Sequence, residues 1–229
     1  MNRRSCTRRL AALALGASWG LLGVSASAQA DAADALLRAV QQDNAGAVRQ
    51  LLTRGADPNT RNDKGNPVLY IALQEGALKA AQELLAAPGL QPEQRNASDE
   101  SPLMMAALKG HLDMVRQLIA LDAHVNKPGW APLHYAATGG HLAIMELLLD
   151  KHAFIDAESP NGTTPLMMAA MYGTPEAVKL LIQSGADIHM RNQKGMTALD
   201  FAQQAERQNA VELLVTAHRY SQGRTRGQW

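Results

Sequence analysis

Apolar positions in this chain fall into short runs that return at a nearly fixed interval, with polar, glycine-bearing stretches between them. The runs read Pro67-Val-Leu-Tyr-Ile-Ala72, Pro102-Leu-Met-Met-Ala-Ala107, Pro132-Leu-His-Tyr-Ala-Ala137, Pro165-Leu-Met-Met-Ala-Ala170 and Thr197-Ala-Leu-Asp-Phe-Ala202. Their leucines, Leu69, Leu103, Leu133, Leu166 and Leu199, are spaced by 34, 30, 33 and 33 residues. A second run that closes on an apolar pair precedes the first of these and follows each of them: Leu51-Leu52, then Leu84-Leu85, Leu118-Ile119, Leu147-Leu148, Leu181-Ile182 and Leu213-Leu214. The pattern predicts two short helices per period. Proline just inside a helix start costs nothing, because its missing N–H would be unpaired there anyway, and glycine after a helix takes the left-handed conformation that stops it. Gly65, Gly162 and Gly195 fall in the turns between periods, where a positive φ is cheap for glycine alone. Leu36 stands 33 residues before Leu69, so a further N-terminal unit is present that lacks only its leading hairpin.

Other landmarks keep the same phase. Gly110-His111, Gly140-His141 and Gly173-Thr174 follow the first helix of a unit, and Gly55-Ala56-Asp57 and Gly185-Ala186-Asp187 follow the second. In the middle the latter step is degraded to Asp122-Ala-His124 and His152-Ala-Phe154. A period near 33 with these steps resembles the ankyrin repeat. The resemblance covers residues 31–220. It implies an all-α ankyrin-repeat solenoid of about six stacked helix-turn-helix units with β-hairpin loops, at approximately 31–61, 62–95, 96–126, 127–158, 159–191 and 192–220. No unit can bury its apolar stripe alone; stacking does that, and stability becomes a sum over repeats and interfaces. The alanine pairs at 106–107, 136–137 and 169–170 let neighbouring helices approach where a larger residue would overpack. Two irregularities break the phase. The passage 87–92 carries one extra residue, and Asn126-Lys-Pro-Gly-Trp130 has lost three from its hairpin.

The ends differ from the repeats. Arg3, Arg4, Arg8 and Arg9 precede an apolar stretch from Leu10 to Val24 and then Ala28-Gln29-Ala30, the order of a secretory signal peptide over residues 1–30. Cleavage after Ala30 is expected, by the general secretion route rather than the twin-arginine one, with the mature protein in a periplasm. Removing that segment takes four arginines and no acidic residue, so the formal charge of +1 becomes −3. A weakly acidic, unclustered balance speaks against nucleic acid and anionic membranes as partners. The single cysteine, Cys6, is discarded with the leader, which leaves neither disulfide nor thiol chemistry. Asp31 to Asp34 are expected to cap the first helix, and residues 221–229 to form a disordered tail.

Catalytic chemistry has no candidate. His111, His134 and His141 sit at repeat landmarks, and the resemblance gives them a structural role, bonding neighbouring backbone. No metal site is expected, since no cysteine partner or His-x-x-x-His spacing exists. There is no nucleophile elbow, phosphate loop or dinucleotide fingerprint, and the acidic residues are scattered. The expectation is no enzyme and no cofactor. Met104, Met105, Met167, Met168 and Met171 in the first helices suit interhelical packing, with an oxidant sink or a thioether copper site as alternatives.

What remains is surface. The resemblance implies binding of another protein on a concave face made of hairpin tips and first-helix ends. The residues expected there are Lys64, Glu75, Leu108, Lys109, Trp130, Asn161, Met171, Tyr172 and Lys194, with Trp130, Met171 and Tyr172 as one central cluster. Trp130 is either a hot-spot anchor or a plug over its shortened hairpin. Small exported bacterial ankyrin proteins that this chain resembles have two duties, protection against peroxide and immunity against secreted toxins. The methionine content places the first ahead, for an elongated monomer with one unidentified protein partner.

Overall fold

A computed structural model describes residues 26–226, with side chains over 29–221. Twelve helices run in chain order among the described residues: α1 (Ala26–Gln41), α2 (Ala45–Thr53), α3 (Val68–Glu75), α4 (Leu78–Leu85), α5 (Pro102–Lys109), α6 (Leu112–Ala120), α7 (Pro132–Gly139), α8 (Leu142–Asp150), α9 (Pro165–Met171), α10 (Pro175–Gln183), α11 (Ala198–Gln204) and α12 (Gln208–Arg226). The odd-numbered helices pack side by side as one layer and the even-numbered ones as a second, each pair closing one unit. The basic start and apolar stretch of the expected leader lie in residues 1–25, outside the described residues; Ala28-Gln29-Ala30 falls in the first turns of α1.

The core is the sequence period made solid. Leu36, Leu69, Leu103, Leu133 and Leu166 are buried in the first layer, and Leu84, Leu118, Leu148, Leu181 and Leu214 in the second. Each such leucine is worth about 1.5–3 kcal/mol of transfer free energy. Ala72, Ala106, Ala107, Ala136, Ala137, Ala169 and Ala170 are buried between first helices, where Cβ alone fills the space.

Helix starts follow local chemistry. Ser101, Thr164 and Thr197 cap α5, α9 and α11 by accepting the N–H three residues on. Pro102, Pro132 and Pro165 open their helices as expected. Pro67 does not: it occupies the cap position of α3 itself, one step earlier, and offers no side-chain acceptor.

Three further expectations change. The hairpins between units are tight turns, closed by bonds such as Asn62 N–H to Asn66 O (3.0 Å) and Asn192 N–H to Met196 O (3.0 Å), rather than paired strands. Only one isolated antiparallel bridge, Arg61 with Pro67, occurs among the described residues. Asp31 and Asp34 lie inside α1, which starts at Ala26, so they do not cap it. The tail is helical as far as Arg226, because Ser221–Arg226 contains no proline and its one glycine costs only about 1 kcal/mol; residues 227–229 lie outside the described residues.

Candidate protein-binding face

Three ladders of hydrogen bonds fix this face before any partner arrives. The first lies at the helix heads. Three residues after each cap, Met104 Sδ, His134 Nδ1, Met167 Sδ and Asp200 Oδ2 accept the N–H of Ser101, Ala131, Thr164 and Thr197. A thioether thus replaces the carboxylate or amide usual in a capping box. Because His134 Nδ1 accepts, its Nε2 carries the proton and donates to Thr163 O at 2.9 Å, tying two units together. The second ladder lies at the helix feet. His111 Nε2 donates to Leu73 O (3.1 Å), His141 Nε2 to Leu108 O (2.9 Å), and Arg207 to Gly173 O. The third joins the loops after the second helices: Asn59, Glu93, Asn126 and Asp156 accept the N–H of Gln91, His124, Phe154 and Asp187 in the next unit. Among the described residues no buried side-chain nitrogen or oxygen is left without a partner.

On this frame the expected residues separate. Lys64, Glu75, Lys109, Asn161 and Lys194 are exposed, Leu108 and Met171 are half-buried, and Tyr172 is 55% exposed. Trp130 is half-buried and meets His134 in an edge-to-face contact at 5.2 Å, so packing over the shortened hairpin is part of its role. The expected central cluster is therefore two places. Trp130 stands at the head of α7, whereas Met171 and Tyr172 stand at the foot of α9, and an eight-residue helix alone is about 12 Å long. Thr163, beside Asn161 in the hairpin before α9, is buried.

The shortened hairpin is completed by a residue that sequence reasoning passed over. Lys127 has a side chain only 3% exposed and pairs with Asp99. It also donates to Pro128 O and Trp130 O, both at 3.0 Å. Elsewhere Asn62, Asn96 and Asn192 close the turn by accepting from their own loop. With three residues missing, the ammonium supplies the cross-links instead. A lysine is unremarkable in a polar loop, so nothing in the one-dimensional pattern marks it.

The other feature not foreseen is a carboxylate clamp. Tyr70 Oη donates to Glu100 Oε2 at 2.7 Å, Asn96 Nδ2 donates to the same oxygen at 2.8 Å, and Tyr135 Oη donates to Oε1 at 2.8 Å. Three successive units meet on one carboxylate, beside the irregular hairpin. Burial and the Glu100 acceptor push both phenols well above the ordinary tyrosine range. Burial alone would raise the Glu100 carboxyl, but the bonds from Asn96, Tyr70 and Tyr135 outweigh it and hold the group below the usual range. Tyr70 occupies the register position of His134, and that substitution is the sequence signal for the clamp.

These shifts set an acid response. Burial holds His134 and His111 below the ordinary imidazole value of 6.5, despite the bonds each makes to backbone. The unfolded chain therefore binds more protons than the folded one as pH falls below about 6.5. Stability should be level above that value, decline below it, and decline again below about 4.3 as Glu100 protonates. Thermal melts followed by circular dichroism across pH 8 to 3 check this. A melting temperature that rises between pH 7 and 5 contradicts it.

No helix of the described residues is long and apolar enough to cross a membrane, and no group of three or more His, Cys, Asp or Glu there could hold a metal.

Comparison with known proteins agrees with this geometry. The chain is 32% identical over 128 residues to the zebrafish (Danio rerio) ankyrin repeat and SAM domain-containing protein 6, covering 54% of this chain and 17% of that one. It is 34% identical over 109 residues to mouse (Mus musculus) ankyrin repeat domain-containing protein 63, covering 44% and 27%. The chain thus spans well under a third of either relative. Among solved structures, a chain of the complex of the Bd0816 predatory endopeptidase from Bdellovibrio bacteriovorus with immunity protein Bd3460 superposes with a TM-score of 0.68 at 30% identity, covering 80% of this chain and 97% of that one. The model of ankyrin repeats in three copies matches residues 69–159 and 154–224, and with the two-layer stack and its ladders this makes the chain a member of the ankyrin-repeat family.

Proposed function

We propose that this is an exported, periplasmic binding scaffold that holds another protein against the face made by first-helix ends and hairpin tips. One observation carries the reading: Tyr172, 55% exposed, projects with Met171 from a face whose buried side-chain polar atoms all have partners among the described residues. A rigid base presenting an aromatic with a polar rim is the anatomy of a protein-binding hot spot.

Of the two duties, immunity against a secreted toxin is better supported than peroxide protection. The solved complex pairs an endopeptidase with an immunity protein, and this chain spans 97% of its matched chain. The methionine argument for peroxide protection also weakens. Met104, Met105, Met114, Met145 and Met167 are buried, and the thioethers of Met104 and Met167 already accept hydrogen bonds. Buried, engaged sulfur is a poor oxidant sink and a poor copper ligand.

Capture from periplasmic extract tests the reading. Wild type should retain an enzyme and inhibit it. Met171→Ala with Tyr172→Ala, shown to be folded, should weaken retention at least about tenfold, since a hot-spot residue contributes about 2 kcal/mol. Lys179→Ala, exposed on α10 in the second layer, should leave it unchanged. Equal retention by all three removes the reading, as does protein found only in the cytoplasm on fractionation.

A further inference from the structure

We infer that Glu100 is the receiving end of an ionic contact with an arginine side chain of the protein partner, with Tyr135 and Trp130 as its aromatic neighbours. The inference rests on the protein-binding reading above and names the chemistry of that partner.

The cations around this hairpin are all engaged away from Glu100: Arg61 donates to Gly65 O and Arg95 O, both at 2.8 Å. Arg95 donates to Glu93 at 2.7 and 2.9 Å and to Asp99 at 3.1 Å. Lys127 is committed to Asp99. His124 lies 3.5 Å from Glu93 and adds charge only when protonated. Two permanent cations therefore serve Glu93 and Asp99, while Glu100 keeps its negative charge through neutral donors only: two phenols and one amide. Those donors fix the carboxylate without neutralising it. The bonds from Tyr70, Asn96 and Tyr135 lower its affinity for protons, so it stays ionised at neutral pH.

The carboxylate also has an open place. A carboxylate offers about four lone-pair positions; Oε2 takes two bonds and Oε1 one, and the residue is part-exposed. Its orientation is held by three units, so docking a cation there costs no further ordering of the acceptor. Trp130 holds the register position of Glu100 in the next hairpin, three residues before Leu133 as Glu100 stands before Leu103. The tyrosines bonded to the two oxygens of the ionised carboxylate suit a planar guanidinium, which donates along its edge and stacks on its face, better than a compact, strongly hydrated ammonium.

The test uses N-acetyl-arginine amide as probe and its uncharged isostere, N-acetyl-citrulline amide, as control, added to the full ¹⁵N-labelled chain. The arginine probe should shift the amides of Glu100 and Tyr135 and the Trp130 indole at millimolar concentration. The citrulline probe should bind at least fivefold more weakly. Glu100→Gln, which preserves shape and keeps an acceptor for one tyrosine while its NH2 can donate to the hydroxyl oxygen of the other, should erase the difference. Equal shifts from the two probes on the wild-type chain overturn the inference without any mutant. So do shifts centred on other residues, or a preference that survives in Glu100→Gln. An absent arginine site with enzyme capture still lost in the Met171/Tyr172 variant removes this inference alone. Capture indifferent to that variant removes the binding reading, whatever the probe does.

Discussion

Truncating Leu133 to alanine will cost about 2–5 kcal/mol of stability, the range for a buried leucine whose cavity cannot collapse. Leu133 is 1% exposed at the head of α7, in a unit with neighbours on both sides. Helices α5 and α9 flank it and are themselves held by the His134 and His141 bonds, so they cannot move in to fill the void. Because each unit couples only to its neighbours, the damage should fall between the two halves of the stack. Urea unfolding followed by circular dichroism should show the wild-type transition split into two. A single transition shifted by less than about 1 kcal/mol would contradict both the burial and the nearest-neighbour coupling.

The second large effect has an unusual sign. Replacing glycine by alanine in a compatible backbone normally stabilises by about 0.4–1 kcal/mol. Gly46, near the start of α2, meets that case: an added Cβ would find only Asn44 Oδ1 at 3.6 Å, so Gly46→Ala should stabilise. Gly173 should behave oppositely. Its Cβ would lie 2.4 Å from Ala137 O and 2.9 Å from Ala169 Cα, both backbone atoms of the first-helix layer. Neither can swing aside as a side chain could, so α7 and α9 must separate. Overpacking of this kind costs about 1–3 kcal/mol and sometimes more. Paired thermal melts settle the matter: Gly46→Ala should melt above wild type and Gly173→Ala well below it, and similar values for the two would refute the close approach.

Local irregularities show why some of the molecule was readable and some was not. Where a side chain acts on its own repeat, the sequence carries the signal. Gly65, Gly162 and Gly195 have φ near +75°, as the turn requires. Yet Asp99, Asp122 and His152 hold φ of 61–63° at similar steps without being glycine, tolerated because asparagine-like and histidine side chains reach this region more easily than most. Where a side chain acts across repeats, the period hides it. Lys127 looks like a loop lysine while it pairs with Asp99 of the preceding unit, and Glu100 looks like a hairpin acid while Tyr70 and Tyr135 of the two flanking units hold it. The separation of Trp130 from Tyr172 was within reach of the sequence, because Trp130 precedes the Pro132 helix start whereas Tyr172 directly precedes the Gly173-Thr174 step that follows a first helix.

The sequence by itself determined the repeat, the two helices in each unit and the leucine and alanine core, which follow from short-range rules repeated until accident is excluded; the structural use of the histidines came from the resemblance to the ankyrin repeat. The tertiary structure alone decided where charge is left over. Whether Glu100 is neutralised depends on which partners Arg95 and Lys127 choose among carboxylates 2 to 28 positions away, and on two tyrosines 30 and 35 residues distant. Electrostatic pairing depends on distances of a few ångströms between units, and the stacking of those units sets such distances.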